Sequence, residues 1–468
     1  MRTAYRNSPE LFLRWPAPRV TDTSHDLTES LIYFLQLLFR KQAFREKQID
    51  VIIRALERKS VLGLLPTGGG KSAIFQLATL LSPGVAIVIA PLKSLIDDQE
   101  DNLHRAGINR VATIHSGLSL KAKIKAMKEI ASGTPRFVYV APERLQIEAF
   151  RAELSESLIS HSVVFMVVDE AHCVSEWGHN FRPAYLNVAR IARSLYRTDE
   201  GGTPIIALTG TASNSVLIDI QRELEFDRQD HDSIISVDSF DRPNLHFLPI
   251  STTPGKKSGG LIQMIECVAD FHGMTSEKLL DMPTYGGLIF CRHGNGAFGV
   301  CGVSSEIRER FGSNQDSVRI YAGAQPKCYD ATYVAWEDYK RETQRHFKES
   351  VFPMLVATSS FGMGVDKSNI RYALHYGIPG SIEALAQEAG RAGRIHTETA
   401  ACAIVFTDEV LEAADDYLAP EIDAEEARRR HNRVPRHKRG DAHRVLHLHF
   451  TSYPGVRAEV ESTKWSIR

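Results

Sequence analysis

The chain has 468 residues, of which 43% are hydrophobic and 24% charged, and this globular composition excludes a disordered, collagen-like or low-complexity protein. Its 56 basic and 57 acidic residues leave a net charge of −1, so a site for a polyanion has to be a local patch. The apolar run at 31–39 is far shorter than the roughly 20 residues of a membrane-spanning helix. The N-terminus also lacks the pattern of a signal peptide, so we expect a cytoplasmic protein.

Short apolar segments alternate with longer amphipathic ones along most of the chain, and we predict a strand at each of the former: SVLGLLP, VAIVIAP, RFVYVAP, VVFMVVDE, PIIALTG, GGLIFCR, SVRIYAG, PMLVATSS, RYALHYG and ACAIVFT. Parallel strands with crossover helices have this pattern. We therefore predict an α/β protein with two tandem, doubly wound parallel-sheet lobes, at 31–238 and 239–410, and a cleft between them. An N-terminal extension, 1–30, precedes them.

Three polar stretches are predicted to lie outside the two cores. The stretches 251–260 and 323–340 are expected to be surface insertions of the second lobe. The tail, 411–468, contains the basic block RRRHNRVPRHKR, which is either a solvated segment or an arm that contacts nucleic-acid phosphates. The tail histidines leave a metal site open as a weaker alternative: His431, His437, His443, His447 and His449.

The six cysteines do not form a recognisable framework. No two of them have the close spacing of a zinc knuckle, so we expect neither structural zinc nor a disulfide framework. Cys291, inside the apolar segment GGLIFCRH, is expected to be a small buried hydrophobic residue.

The segment LPTGGGKS, residues 65–72, follows a predicted strand and precedes an apolar helical segment, which is the context of a P-loop. Glycines let backbone N–H groups approach phosphate oxygens, Lys71 can reach the terminal phosphates, and the Ser72 hydroxyl can bind Mg²⁺. The strict pattern has glycine where this chain has Leu65. The residues predicted to cradle the phosphates are Thr67, Gly68, Gly69, Gly70, Lys71 and Ser72.

A pair of carboxylates follows the apolar strand 163–168. Asp169 and Glu170 come where that strand ends, at the sheet edge where α/β proteins bind ligands. We expect Asp169 to bind Mg²⁺ with Ser72, and Glu170 to deprotonate the water that attacks the γ-phosphate.

The ordered set GGGKS, DEAH (169–172), TGTA (209–212) and QEAGRAGR (387–394) resembles the motifs of superfamily 2 helicases. Among the superfamily 2 helicases, the chain resembles the RecQ family of DNA helicases over about residues 40 to 408. The segment SEWGHNFRPAY, 175–185, is similar to the aromatic-rich loop of that family. Further matches are FREKQ (44–48), APERL (141–145), SFDRPN (239–244) and FGMGVDK (361–367).

This resemblance implies RecA-like lobes and assigns a role to further residues. Arg45 and Gln48 would contact adenine and the adjacent phosphate, and Gly364 and Asp366 would lie near the ribose and the lobe interface. Gln387, Arg391 and Arg394 would approach the γ-phosphate from the second lobe. Coupling of lobe movement is assigned to three residues of the first lobe: His172, Thr209 and Thr211.

A nucleic-acid site is predicted near the acidic motif. Trp177, His179, Phe181 and Arg182 supply rings and positive charge of the kind used on unpaired bases. Lys93 and Arg144 follow predicted strands and are placed to hold backbone phosphates. The alternative for Trp177 and Phe181 is that they pack in the core of the lobe.

Three features depart from the RecQ pattern. The four-cysteine zinc module and the winged-helix domain expected after the arginine motif are not seen, and Lys41 stands where an aromatic residue often stacks on adenine. The stretch between Tyr321 and Arg341 also contains extra residues.

The favoured function is an ATP-dependent DNA helicase that uses ATP and Mg²⁺, acts on single-stranded or partly duplex DNA with the 3′ to 5′ direction that the resemblance implies, and has no zinc. One alternative is a DNA-stimulated translocase that does not separate strands, for example a subunit of a DNA-modification or defence assembly. The others are an ATP-gated nucleic-acid-binding subunit and an RNA helicase.

Overall fold

A computed structural model describes residues 23–66, 68–115, 117–159, 161–175, 183–195, 202–210, 214–227, 229–312, 316–362, 367–395 and 398–407, with four single positions of the tail, 426, 429, 433 and 441. The chain divides into two compact units, Met1–Phe240 and Asp241–Arg468. None of the described helices is long and apolar enough to cross a membrane.

The first unit contains a parallel sheet whose seven strands are β1 (Val61–Leu64), β2 (Val85–Ile89), β3 (Val111–Ile114), β4 (Phe137–Val140), β5 (Val163–Asp169), β6 (Ile205–Thr209) and β7 (Ile234–Ser236). They are arranged in the order β3-β4-β2-β5-β6-β1-β7. Its helices are α1 (Thr23–Phe39), α2 (Gln48–Leu56), α3 (Lys71–Leu81), α4 (Lys93–Arg105), α5 (Leu120–Ala131), α6 (Pro142–Leu145), α7 (Glu148–Leu158), α8 (Val188–Leu195) and α9 (Asn214–Glu223).

The first sheet is buried on both faces, which explains the unbroken apolar runs of its central strands. In β2, Ile87 and Ile89 belong to one hydrophobic cluster, whereas Ala86 and Val88 belong to another. Successive side chains of a strand point to opposite faces, so the two clusters are the layers between the sheet and its two sets of helices.

The second unit contains a six-stranded parallel sheet made of β8 (Leu245–Thr252), β9 (Gly286–Cys291), β10 (Val318–Tyr321), β11 (Met354–Ala357), β12 (Ile370–Tyr376) and β13 (Ala400–Thr407). The order is β10-β11-β9-β12-β13-β8. Its helices are α10 (Lys257–Phe271), α11 (Ser276–Asp281), α12 (Val300–Phe311), α13 (Trp336–Lys348) and α14 (Ile382–Ala389). Two parallel-sheet α/β units confirm the predicted fold class.

The expectation that 251–260 is a surface insertion is wrong. Its first two residues end β8 and its last four begin α10. A Cβ on Gly260 would come within 3.3 Å of Val405 and 3.4 Å of Thr252, so the small residue permits close packing of α10 against β8 and β13. The polar, glycine-containing sequence did not indicate that a helix begins here.

The expectation for 323–340 is partly wrong, because Trp336 begins α13 and is only 6% exposed in the core. A disulfide joins Cys301 of α12 to Cys328 in this stretch, a single bridge in a chain for which we expected no disulfide framework. The two cysteines are 27 residues apart, and only the fold brings them together. Asn295 accepts a hydrogen bond from the Lys327 amide at 2.6 Å and so helps hold this stretch beside the start of α12.

The other cysteines are free thiols, and Cys291 is buried as expected. Burial raises the pKa of its thiol, so it remains protonated and apolar.

One described position of the tail, Asp441, contacts α10 and β13 within the second unit. Asp441 Oδ2 lies 2.6 Å from the buried Lys257 Nζ, and the Asp441 amide donates to Thr407 Oγ1 at 2.7 Å. Lys257 Nζ also lies 4.9 Å from the centre of the Tyr376 ring. Most of the basic block and all of the tail histidines lie outside the described residues.

Candidate functional site

The loop between β1 and α3 has the backbone of a phosphate cradle. Gly68 and Gly70 have φ values of 74° and 69°, in the left-handed region that favours glycine. A Cβ on Gly69 would lie 2.7 Å from the Pro66 carbonyl oxygen, and α3 then begins at Lys71. The glycine positions and the helix N-terminus therefore suit the binding of phosphate. Thr67 lies outside the described residues.

Arg45 and Gln48 donate hydrogen bonds to backbone carbonyl oxygens of this loop. The Arg45 guanidinium donates to the Gly68 carbonyl oxygen, and Gln48 Nε2 donates to the carbonyl oxygens of Gly69 at 2.6 Å and Gly70 at 3.1 Å. Gln48 Oε1 accepts from the Arg45 amide at 2.9 Å. Both residues predicted for adenine thus contact the loop itself, and their role toward adenine stays a prediction.

Ser72 is oriented by two glutamines that belong to no recognisable sequence motif. Gln99 Nε2, from α4, donates to Ser72 Oγ at 2.6 Å. Gln76 Nε2, one turn further along α3, donates to Gln99 Oε1 at 3.0 Å. Gln76 and Gln99 are buried, so they fix the direction in which the hydroxyl can bind an ion or a phosphate.

The two carboxylates stand at the end of β5. Asp169 is 4% exposed, and burial, followed by the charge of Glu170, raises its pKa, while Lys71 lowers it. Glu170 has a φ of 50°, an uncommon conformation for a non-glycine residue that is found at functional sites. Its amide donates to Asp169 Oδ1 at 3.0 Å, which turns the chain sharply after the strand.

His172 links the acidic motif to β6. A hydrogen bond of 2.9 Å joins His172 Nδ1 to Thr209 Oγ1, and Glu170 Oε2 lies 3.4 Å from the same nitrogen. The Thr209 carbonyl oxygen accepts from the Leu65 amide at 3.0 Å. Since β5, β6 and β1 are neighbours in the sheet, the acidic motif, Thr209 and the phosphate loop share one edge. Thr211 lies outside the described residues.

Replacing Thr209 with Val should lower the free energy of unfolding by about 1 kcal/mol, because a buried hydrogen bond to His172 is lost while the side-chain shape is kept. Urea unfolding would measure this. Thr209→Ser and Thr209→Ala both lose the buried methyl group and only the Ser variant retains the hydroxyl, so the Ser variant should be the more stable of the two. Equal stabilities of the Val and wild-type proteins would contradict the contribution of this hydrogen bond.

The residues at this edge fit a magnesium ion. The Ser72 hydroxyl and the Asp169 carboxylate are hard oxygen ligands of the type that Mg²⁺ prefers, with water and phosphate oxygens filling the other positions. A cation would also offset the burial of the Asp169 charge. Within the described parts of the chain, no group of three or more His, Cys, Asp or Glu side chains is placed to hold a metal alone.

The predicted phosphate-binding residues Lys93 and Arg144 both lie near His115. Lys93 begins α4 after β2, and Arg144 lies in α6 after β4. Both act on His115, whose pKa is lowered first by burial and then by Lys93, Arg144 and Lys123, against the opposite effect of Asp97. Trp177, His179, Phe181 and Arg182 lie outside the described residues.

The first residue of the aromatic-rich segment, Ser175, is nevertheless fixed. Ser175 Oγ donates to Asp219 Oδ2 of α9 at 2.6 Å, with both residues buried. Arg222 NH2 lies 3.1 Å from Asp219 Oδ1. This contact between the start of the aromatic-rich segment and α9 has no local sequence signal, since the two residues are 44 positions apart.

The arginine motif is in the second unit. Gln387 and Arg391 are 7% and 5% exposed, and Arg394 is half-buried. The turn that holds the arginines is fixed by Asn244 Nδ2, which donates to the Gly393 carbonyl oxygen at 2.7 Å, while Gly393 has a φ of 59°. Gly364 and Asp366 lie outside the described residues.

Comparison with known families gives two matches. Residues 45–220 match the DEAD/DEAH box helicase model, and residues 337–396 match the helicase conserved C-terminal domain model. The first match includes the phosphate loop and the acidic motif, and the second includes the arginine motif.

Whole-chain comparisons identify similar proteins. The chain is 32% identical over 369 residues to the ATP-dependent DNA helicase RecQ of Pasteurella multocida, covering 79% of this chain and 51% of that protein. It is 34% identical over 359 residues to the ATP-dependent DNA helicase RecQ of Bacillus subtilis, covering 76% and 53%. The chain thus spans about half the length of the curated relatives it matches.

Solved structures with the same fold include the DUF1998 helicase MrfA bound to DNA, with a TM-score of 0.60 and 19% identity over 84% of this chain and 52% of that one. Another is Mss116p bound to ssRNA and AMP-PNP, with a TM-score of 0.62 and 16% identity over 85% and 77%. At these identities the likeness extends to the fold alone.

Proposed function

Because this chain carries a superfamily 2 helicase core of the RecQ family, we propose that it is an ATP-dependent DNA helicase that couples ATP hydrolysis to movement along single-stranded DNA. The observation that supports this most directly is the shared sheet edge of the phosphate loop, with Lys71 and Ser72, and of the carboxylates Asp169 and Glu170. This is the combination of groups that phosphoryl transfer to water requires.

In the proposed reaction, the glycine loop and the N-terminus of α3 bind the phosphates of ATP, and Lys71 neutralises the terminal ones. Ser72 and Asp169 would hold Mg²⁺, which neutralises charge on the phosphate oxygens when bound. Glu170 accepts a proton from the attacking water. Its left-handed backbone directs the carboxylate away from the line of β5, and Gln99 keeps the Ser72 hydroxyl in place.

We further propose that Arg391 and Arg394 stabilise the γ-phosphoryl transition state of ATP bound to the phosphate loop. Charge in that transition state spreads over the phosphoryl oxygens, which a guanidinium group can contact through several N–H groups. Gln387 is proposed to approach the same phosphate. Repeated binding and hydrolysis would then alternate two arrangements of the lobes and move the bound strand.

The aromatic-rich segment is proposed to sense the strand. It begins at Ser175, which donates a hydrogen bond to Asp219 of α9. Ser175 is five residues after the catalytic candidate Glu170 and directly follows the 3₁₀ turn Ala171–Val174. A strand stacked on Trp177 or Phe181 could therefore influence the position of Glu170. Lys93 and Arg144 are proposed to bind the backbone of the same strand.

Replacing Trp177 with Ala should leave basal ATP hydrolysis and nucleotide binding unchanged but remove its stimulation by single-stranded DNA. The loss of one stacked base should weaken binding of single-stranded DNA by about 1–3 kcal/mol. A steady-state ATPase titration with oligonucleotide measures the stimulation, and fluorescence anisotropy of a labelled oligonucleotide measures the binding. Trp177→Phe, which keeps a stacking ring, is the control, and an unchanged stimulated rate in the Ala variant would assign Trp177 to the core.

The proposed function is tested by ATP hydrolysis of the purified chain with single-stranded DNA, duplex DNA and RNA in parallel. We expect stimulation by single-stranded DNA. Greater stimulation by RNA would favour an RNA helicase, and retained ATP binding without turnover would indicate an ATP-gated binding subunit.

Strand displacement from tailed duplexes then separates a helicase from a translocase. We propose movement in the 3′ to 5′ direction, so a 3′ tail should support displacement and a 5′ tail should not. Stimulated hydrolysis without displacement from either substrate would favour a translocase, for example a subunit of a DNA-modification or defence assembly. Roles in DNA repair and recombination are part of the helicase proposal.

A further inference from the structure

Helix α5 presents lysines on its solvent-facing side. Ala126, Met127 and Ile130 are its buried residues, whereas Lys121, Lys125 and Lys128 are exposed. These lysines are spaced four and three residues apart, so they lie on one face of the helix and span about 10 Å along its axis. The face is therefore a linear positive surface.

This surface carries little compensating negative charge. The only acidic residue of α5 is Glu129. Of the three exposed lysines, only Lys125 has an ion pair in the described part of the chain, with its Nζ 3.6 Å from Glu129 Oε1. Because both partners are solvent-exposed, this pair is weak and a phosphate can compete for the lysine.

The start of α5 adjoins the basic residues proposed to bind a DNA strand. The helix begins shortly after β3 and is capped by Ser119, which accepts from the Ala122 amide at 3.2 Å. Between them, a Cβ on Gly117 would lie 3.0 Å from Lys93 Nζ. Lys123, on the opposite side of α5 from the three exposed lysines, acts on the same histidine, His115, as Lys93 and Arg144 do, so the first turns of α5 lie at the carboxyl edge of the sheet. The exposed lysine face begins there with Lys121 and runs along α5 away from this edge.

The chemistry of α5 fits double-stranded rather than unpaired DNA. Its sequence, LKAKIKAMKEIA, contains no aromatic residue, so it offers no ring on which an unpaired base could stack. Lysines contact phosphates without reading bases, which is how proteins bind the backbone of a duplex irrespective of sequence.

We propose that Lys121, Lys125 and Lys128 of α5 bind the phosphate backbone of duplex DNA beside the single strand held at Lys93 and Arg144. This proposal rests on the proposed DNA-helicase function and extends it to the duplex portion of a partly duplex substrate.

The test compares the full-length chain with K121Q/K125Q/K128Q. The matched control, K59Q/K256Q/K278Q, removes three exposed lysines from other elements. Fluorescence anisotropy measures binding to a tailed duplex, to a blunt duplex and to single-stranded DNA from about 50 to 300 mM salt, without ATP. Thermal unfolding checks that both variants fold.

We expect the α5 variant to bind both duplexes at least about tenfold more weakly at low salt. The slope of log K against log salt should become less steep by about 0.9 for each lost phosphate contact, and by up to about 2.7 in all. Binding to single-stranded DNA, and ATP hydrolysis at saturating single-stranded DNA, should match those of the control. Since binding is measured without ATP, absence of hydrolysis in all proteins would contradict the proposed function without affecting this comparison.

Duplex binding with the same slope in the α5 and control variants would overturn the proposal. It would point instead to a protein partner for this face, which also exposes Leu120 and Ile124 by 74% and 49%. A loss confined to single-stranded DNA would also overturn it, since the lysines would then extend the strand site.

Discussion

Replacing Glu170 with Gln should lower ATP turnover by about 10²- to 10⁴-fold, the usual contribution of a positioned general base. The amide has nearly the shape of the carboxylate but cannot accept the proton of the attacking water. Because the phosphate loop, Lys71 and Ser72 are unchanged, ATP should still bind. Single-turnover hydrolysis and binding of a fluorescent ATP analogue separate the two effects.

Two further variants serve as controls for the Glu170→Gln variant, one with an unrelated carboxylate changed and one with ATP binding removed. Glu148→Gln changes an exposed carboxylate at the start of α7 and should hydrolyse ATP as the wild-type protein does. Lys71→Ala should lose both binding and turnover, because this lysine neutralises the terminal phosphates. Wild-type turnover in purified Glu170→Gln would refute the assignment of the base.

The central strands could be predicted from the sequence because their burial on both faces leaves unbroken apolar runs, as in β2 and β5, where every residue is buried. The strands that were missed, β3, β7 and β8, all lie at sheet edges. In β3, buried and half-buried residues alternate, and β7 has only three residues. β8 contains Pro249, which is tolerated at an edge because no neighbour needs its N–H. These three edge strands are short, only partly buried or interrupted by proline, so their sequences lack the unbroken apolar runs of the central strands.

The chemical groups of the candidate site could also be predicted, since the phosphate loop and the acidic pair are local patterns of glycine, lysine and carboxylate next to strands. The residues that orient them could not. Gln99 reaches Ser72 across 27 positions and Ser175 reaches Asp219 across 44. An isolated glutamine or aspartate within an amphipathic helix has the same sequence signal whether it faces solvent or a buried partner. Only the packing of α4 and α9 against the rest of the first unit shows that these side chains face a buried partner and not solvent.

Arg394 should be the most sensitive residue of the second unit for catalysis. An arginine that contacts the transferring phosphoryl group contributes about 10³–10⁵ in rate in related enzymes, so Arg394→Ala should lower the DNA-stimulated turnover number by a factor in this range. Its half-buried side chain makes loss of folding a smaller concern than for Arg391, which is 5% exposed. Arg391→Ala should therefore destabilise the second unit as well as slow the reaction.

Measurement of both the turnover number and the ATP affinity of Arg394→Ala tests this role. If the guanidinium acts in the transition state, the turnover number falls while ATP affinity and the melting temperature stay close to those of Arg310→Ala, which removes an exposed arginine of α12. Arg394→Lys should recover little of the rate, because an ammonium group lacks the planar fork of N–H groups that spans two phosphate oxygens. Full turnover in Arg394→Ala would remove this arginine from the reaction and leave Arg391 and Gln387 as the candidates of the second unit.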